Sequence, residues 1–273
     1  MPIAFETKPA LVAYLTCGDP DLRTSREIAL AAISAGAEVI ELGVPFSDPV
    51  ADGPVIQRAS ERALRNHVSL ENVLTLAAEI RRESVAGLIV FSYLNPILRL
   101  GLEKFASRAA ESGIDGALIT DLPVEEAGEY LKQMRKRNLD TVFLAAPTST
   151  DERLKRIAEA STGFVYAVSR TGVTGARKDL AEDAQKLVQR LRKFTKLPIA
   201  VGFGISGPEH FASVGKFADA AAVGTAIMQT IENNPGNEAQ AVAEFIKQLS
   251  AVSDQPSART EKSKNARGVA GVD

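Results

Sequence analysis

The sequence predicts an α/β chain folded as a single (β/α)8 TIM barrel. Short apolar runs alternate with amphipathic stretches from about residue 10 to about residue 250. The runs lack polar alternation, as parallel strands covered on both faces require. The length, 273 residues, suits one barrel. A doubly wound open sheet competes with this reading, because chain order alone does not show closure.

Eight candidate strands follow one another: Ala10–Leu15, Val39–Leu42, Leu88–Ser92, Ala117–Thr120, Thr141–Ala145, Phe164–Val168, Ile199–Val201 and Ala220–Val223. Between the first two, Leu22–Ala35 places Leu22, Ile28, Ala32 and Ala35 near one helical stripe. Ser149-Thr150-Asp151-Glu152 reads as a capping box that opens a helix with Leu154, Ile157 and Ala158 inward. A weak internal echo supports repeated units. Residues 34–40 and 111–118 both run from a helix end through a glycine cap, Gly36 or Gly113, and an acidic residue into a strand. Gly215 before Ala218-Asp219-Ala220 is a looser third copy. The barrel is expected over residues 1–251. Residues 252–273 are polar, mixed in charge and poor in bulky apolar side chains, so a disordered tail is expected there.

Composition narrows the chemistry. Hydrophobic residues make up 45% of the chain, enough for a large core, and the net charge of −2 points to no nucleic acid or anionic membrane. The single cysteine, Cys17, excludes an internal disulfide and a multi-cysteine zinc site. His67 and His210 have no metal-ligand pattern around them, and no metal is expected. No apolar run reaches ~18 residues. Residues 1–8 lack a signal-peptide pattern, so a cytoplasmic protein is expected. No Gly-x-Ser-x-Gly elbow and no P-loop occurs. What remains is proton transfer by carboxylates.

Barrel sites lie at the C-terminal strand ends, and this rule sorts the candidates. Glu41 sits in the apolar run of the second strand, where a carboxylate is costly unless paired, hydrogen-bonded or protonated. It is either a satisfied structural acid or a functional one. The loop Val44-Pro45-Phe46-Ser47-Asp48-Pro49-Val50-Ala51-Asp52-Gly53-Pro54 follows. Its three prolines restrict it to few shapes, suited to presenting Asp48 and Asp52. Asp52 reads equally as the N-cap of the next helix. After the sixth strand, residues 169–177 combine glycines, hydroxyls and arginines, as a lid over an anion does, or as a plain solvent loop does. The loops Gly202-Phe203-Gly204-Ile205-Ser206 and Gly224-Thr225-Ala226-Ile227 stand where this barrel class holds phosphate.

The run Glu41 to Gln57 resembles the signature of the tryptophan synthase α subunit family, and it is long and specific. The resemblance continues through Thr16-Cys17-Gly18-Asp19-Pro20, Tyr93-Leu94-Asn95-Pro96, residues 121–126, residues 169–175 and residues 202–206, and spans roughly residues 10–248. It implies retro-aldol cleavage of indole-3-glycerol phosphate to indole and glyceraldehyde 3-phosphate. It assigns proton transfer to Glu41 and the indole N–H and positive intermediate to Asp52. Tyr166 would place the substrate, and Thr174 would touch Asp52 on lid closure. Val12, Tyr14, Phe91, Tyr93 and Phe203 would line the indole pocket. Gly175, Gly204, Gly224 and Thr225 would hold the phosphate. Pro45 and Asp48 would face a β subunit in an α2β2 tetramer. Pyridoxal phosphate is expected in that partner and no cofactor in this chain.

Beside the resemblance, Glu41 in its apolar strand is the better candidate for a raised pKa, and Asp52 on its polar loop for a charged state. Three features depart from the family pattern. Only nine residues precede the first strand, so a leading helix is missing or very short and the cap over the lower barrel end is open to question. Thr225 stands where serine is common. The tail has no counterpart. Other phosphosugar barrel enzymes, such as a phosphoribosyl isomerase or indoleglycerol-phosphate synthase, would need different groups, for instance a strand-end lysine that the candidate strands lack. A stand-alone indole-releasing lyase and a non-catalytic barrel that only activates the β subunit are the remaining alternatives.

Overall fold

The computed structural model describes residue 3 and residues 5–168, 177–202 and 204–251, with side chains from 182 onward in the third stretch. The expectations for Thr174, Gly175, Phe203 and the 252–273 tail lie outside these residues. Eight parallel strands close into a barrel in sequence order: β1 (Ala10–Thr16), β2 (Ala37–Gly43), β3 (Gly87–Ser92), β4 (Gly116–Ile119), β5 (Asp140–Ala145), β6 (Val165–Val168), β7 (Ile199–Gly202) and β8 (Ala220–Val223). β8 pairs with β1 from Ala10 opposite Ala220 to Ala13 opposite Val223, which settles closure against the open sheet. The outer layer holds α1 (Leu22–Ser34), α2 (Pro54–Arg65), α3 (Leu70–Arg81), α4 (Leu94–Leu100), α5 (Leu102–Glu111), α6 (Gly128–Lys136), α7 (Asp151–Ala160), α8 (Arg177–Leu191), α9 (Pro208–Val214), α10 (Thr225–Asn233) and α11 (Glu238–Ser250).

The strands lack polar alternation because both faces are buried. Alternate residues Val12, Val39, Ile89, Leu118, Val142, Phe164, Ala200 and Ala222 fill the barrel. Leu11, Ile40, Leu42, Leu88 and Val90 pack outward against the helices. The interior is unevenly filled. Bulky Tyr14 stands against Gly43 of β2, and Tyr166 against Gly202 of β7. A Cβ on Gly43 would lie 2.5 Å from the Tyr14 hydroxyl, and one on Gly202 would lie 2.1 Å from that of Tyr166.

Among the described residues, Ile3 and Phe5 fill the lower mouth. Ile3 joins the interior cluster, and the Phe5 ring lies 5.6 Å from that of Phe164. The Ile3 N–H donates to the Asp140 carboxylate at 3.2 Å, and the Thr7 N–H to that of Glu38 at 3.0 Å.

Three local expectations change. The cap of α7 is Thr150, whose hydroxyl accepts from the Arg153 N–H at 3.2 Å, while the Ser149 hydroxyl accepts from Ala146; the expected box is absent because the helix starts one residue late. α1 buries Ser25, Ile28, Ala29 and Ala32, with Leu22 and Ala35 only partly covered. Gly36 and Gly113 take the left-handed caps (φ +115° and +73°), but Gly215 has φ −59°. It is small for another reason: a Cβ there would meet the Pro9 ring at 2.4 Å.

Candidate active site

Glu41 belongs to the inward-facing series of β2, one pleat above Val39, and lies level with Tyr14 on β1 and Ile89 on β3. It is 1% exposed, and neither carboxyl oxygen has a hydrogen-bond partner among the described residues. Burial pushes its pKa up to about 8, so the group is mostly protonated at neutral pH. The structure brings Tyr14, Phe91 and Tyr166 to its end of the barrel interior. Tyr14 and Phe91 meet edge to face at 5.0 Å. Tyr166, half-buried, rises from β6 above Phe164. Val12 is fully buried one pleat below Tyr14.

The Asp52 loop leaves β2 and returns as α2. Gly53, not Asp52, is the N-cap of α2, and Pro54 occupies its first turn. The Asp52 side chain is thus released from capping. Its carboxylate accepts from the Tyr93 hydroxyl at 3.1 Å. That same hydroxyl accepts from the Ala51 N–H at 2.9 Å, and the Tyr93 ring stacks on Phe46 at 4.9 Å. Tyr93 therefore anchors the loop besides any contact with a ligand, a task the sequence did not show. Partial burial raises the Asp52 pKa and the Tyr93 hydroxyl lowers it again, so the upward shift extends to the group expected to remain plainly charged. Burial keeps the Tyr14 hydroxyl neutral, and the charges of Asp52 and Glu41 both add to that effect, so both carboxyls lie within electrostatic reach of one hydroxyl.

On the far rim, Gly204 adopts a left-handed φ of +48° with open space where a Cβ would stand. Gly224 is the N-cap of α10, no side chain caps that helix, and Thr225 is exposed at its first position. Uncapped N–H groups at a helix start suit an anion. At the loop, Pro45 is buried within the chain, whereas Asp48 is exposed beside Val50, itself 87% exposed. Among the described residues no cluster has metal-ligand geometry, and no helix is long and apolar enough to cross a membrane.

Sequence reasoning missed one network at this rim. Arg62 of α2 grips Asp19, in the loop after β1, through two bonds of 2.7 and 2.8 Å. It also reaches Glu232 of α10 at 2.8 Å, which Arg58 grips at 2.9 and 2.6 Å. The i, i+4 arginines were visible, but their partners up to 174 residues away were not.

The class these features define is a closed parallel (β/α)8 barrel whose C-terminal mouth holds a buried glutamic acid, without a hydrogen-bond partner among the described residues, and an aspartate tethered by Tyr93. The chain belongs to the tryptophan synthase alpha chain family, a family of lyases, whose model matches residues 3–256. It is 54% identical to the tryptophan synthase alpha chain of Solibacter usitatus over 229 residues, 84% of this chain and 86% of that one. Its fold matches the tryptophan synthase subunit alpha of Legionella pneumophila with a TM-score of 0.84 at 34% identity, covering 90% of this chain and 93% of that one. It also matches a chain of the tryptophan synthase complex from Pyrococcus furiosus, with a TM-score of 0.81 at 38% identity over 89% and 98% of the two chains.

Proposed function

We propose that this chain performs the α reaction of tryptophan synthase, a carbon–carbon lyase step, with Glu41 and Asp52 as its working carboxyls. The observation that carries the reading is Glu41: an inward carboxyl at the barrel mouth, without a hydrogen-bond partner among the described residues and with a pKa near 8. Such a group holds a proton at neutral pH and can give it away. Glu41 donates that proton to C3 of the indole ring. Asp52 accepts the indole N–H and offsets the positive charge left on the ring. The Glu41 carboxylate then takes the proton of the hydroxyl on the carbon next to the ring, and the carbon–carbon bond breaks. Its electron pair returns to the ring, which gives indole and glyceraldehyde 3-phosphate. Glu41 ends protonated, ready for the next turnover.

Tyr166, Tyr14, Phe91 and Val12 wall the indole side, with Tyr93 behind Asp52. The N-terminus of α10 at Gly224 and Thr225, with Gly204, holds the phosphate; Thr225 retains the hydroxyl of the usual serine. Phe203, Thr174 and Gly175 complete the site by resemblance. The exposed edge at Asp48, beside Pro45, docks the β subunit of an α2β2 tetramer, which carries the pyridoxal phosphate and receives indole in the cytoplasm. The test is indole release from indole-3-glycerol phosphate. Asp52→Asn and Glu41→Gln variants that fold and bind substrate are expected to lose turnover at least about a hundredfold. Normal turnover in either sinks its assigned role.

A further inference from the structure

The Arg62 network joins three elements that start at the same rim of the barrel. On one side is α10, whose N-terminus is the phosphate end in the reading above. Glu232 sits seven residues further along, roughly 10 Å down the same rigid helix. On the other side is α2, which starts at Pro54 directly after Asp52 and is tied back to it by the Gln57 amide donating to the Asp52 carbonyl at 2.8 Å. The third element is the loop after β1, where Asp19 is 2% exposed.

A fork that grips one carboxylate through two nitrogens while a third reaches another fixes direction as well as distance. Arg58 and Arg62 hold the Glu232 carboxyl well below the usual range, so the link stays charged at working pH. α10 has a second tie to the barrel: the Thr16 N–H donates to the Met228 sulfur at 3.3 Å. A shift of α10 therefore reaches α2 through guanidinium forks.

We propose that Arg62 is a positioning residue whose forked bridge from Asp19 to Glu232 couples phosphate occupancy at the N-terminus of α10 to the placement of Asp52. The inference rests on the phosphate reading above, and its test separates the two. The full chain is labelled with ¹³Cζ tyrosine, and the Tyr93 resonance, identified by its loss in Tyr93→Phe, reports the hydrogen bond to Asp52. The probe is sn-glycerol 3-phosphate, with its affinity read by calorimetry.

In the wild-type chain the probe binds and moves the Tyr93 resonance. In Glu232→Ala, which leaves the Arg62–Asp19 pair intact, the probe binds with affinity within about threefold of wild type, and the Tyr93 shift falls by at least about half. Indole release in this variant loses about tenfold in kcat with KM nearly unchanged, the signature of a misplaced group rather than a lost contact. Arg62→Lys keeps a charge beside buried Asp19 but loses the fork, and gives the same split. An undiminished Tyr93 shift in both variants overturns the coupling, as does a wild-type chain that binds the probe without moving Tyr93. Failure of the wild-type chain to bind the probe at all overturns the phosphate reading and the coupling with it.

Discussion

A buried glutamic acid with a pKa near 8 leaves two signatures, one in rate and one in stability. If the protonated acid starts the reaction, kcat/KM should fall as pH rises through about 8, with the slope of one proton. A profile flat to pH 10 would contradict the assignment. For stability, the folded pKa lies above the unfolded value of 4.5. The unfolded chain thus releases this proton first, and stability is lost as pH rises from about 4.5 to about 8. Glu41→Gln removes that loss. It should match wild type in urea unfolding at pH 4 and exceed it at pH 8, with an upper limit of about 5 kcal/mol. Tyr93→Phe tests the second carboxyl. It removes the hydroxyl that lowers the Asp52 pKa and tethers the loop, so kcat/KM should drop about tenfold and Asp52 should titrate at higher pH. Unchanged kinetics would reduce Tyr93 to packing.

At the scale of elements, space inside the barrel is allotted by glycine and alanine. Gly43 and Gly202 open room for Tyr14 and Tyr166. Gly202→Ala should cost about 1–3 kcal/mol in urea unfolding and displace Tyr166 enough to raise KM. The matched control is Gly128→Ala at the start of α6, where a Cβ meets nothing within 4 Å. It should hold or raise stability by up to about 1 kcal/mol. Equal effects at the two sites would mean that overpacking is not the cause. Strand existence and order were legible in the sequence because burial on both faces leaves apolar runs. Boundaries were less so: β1 extends to Thr16 and β4 stops at Ile119, since ladder pairing, not hydropathy, ends a strand. The α7 cap slid from Ser149 to Thr150 because both residues carry a suitable hydroxyl and only helix packing chooses between them.

The two ends of the whole molecule differ in character, one apolar and plugged, the other lined with carboxyls. Ile3 and Phe5 plug the lower mouth, while the upper mouth holds both carboxyls and the uncapped start of α10. The exposed Asp48–Val50 edge adjoins the same loop that carries Asp52, so a partner seated there would bear directly on Asp52. Adding the tryptophan synthase β subunit should therefore raise kcat for indole release at least about tenfold, and Asp48→Ala should blunt that gain while leaving the rate of the isolated chain nearly unchanged. A rate indifferent to the β subunit would favour a stand-alone lyase.

By itself the sequence determined the barrel class and singled out Glu41 and Asp52, at one rim of it, as candidate working groups. Each is a local property: hydropathy runs, glycine and proline placement, and a charged residue in an apolar strand. Tertiary structure alone decided that Glu41 has no hydrogen-bond partner among the described residues, that Asp52 is held by Tyr93 rather than spent as a cap, and that Arg62 bridges Asp19 to Glu232. Desolvation and charge pairing depend on which distant residues arrive at a point in space. Barrel closure sets that, and local spacing does not encode it.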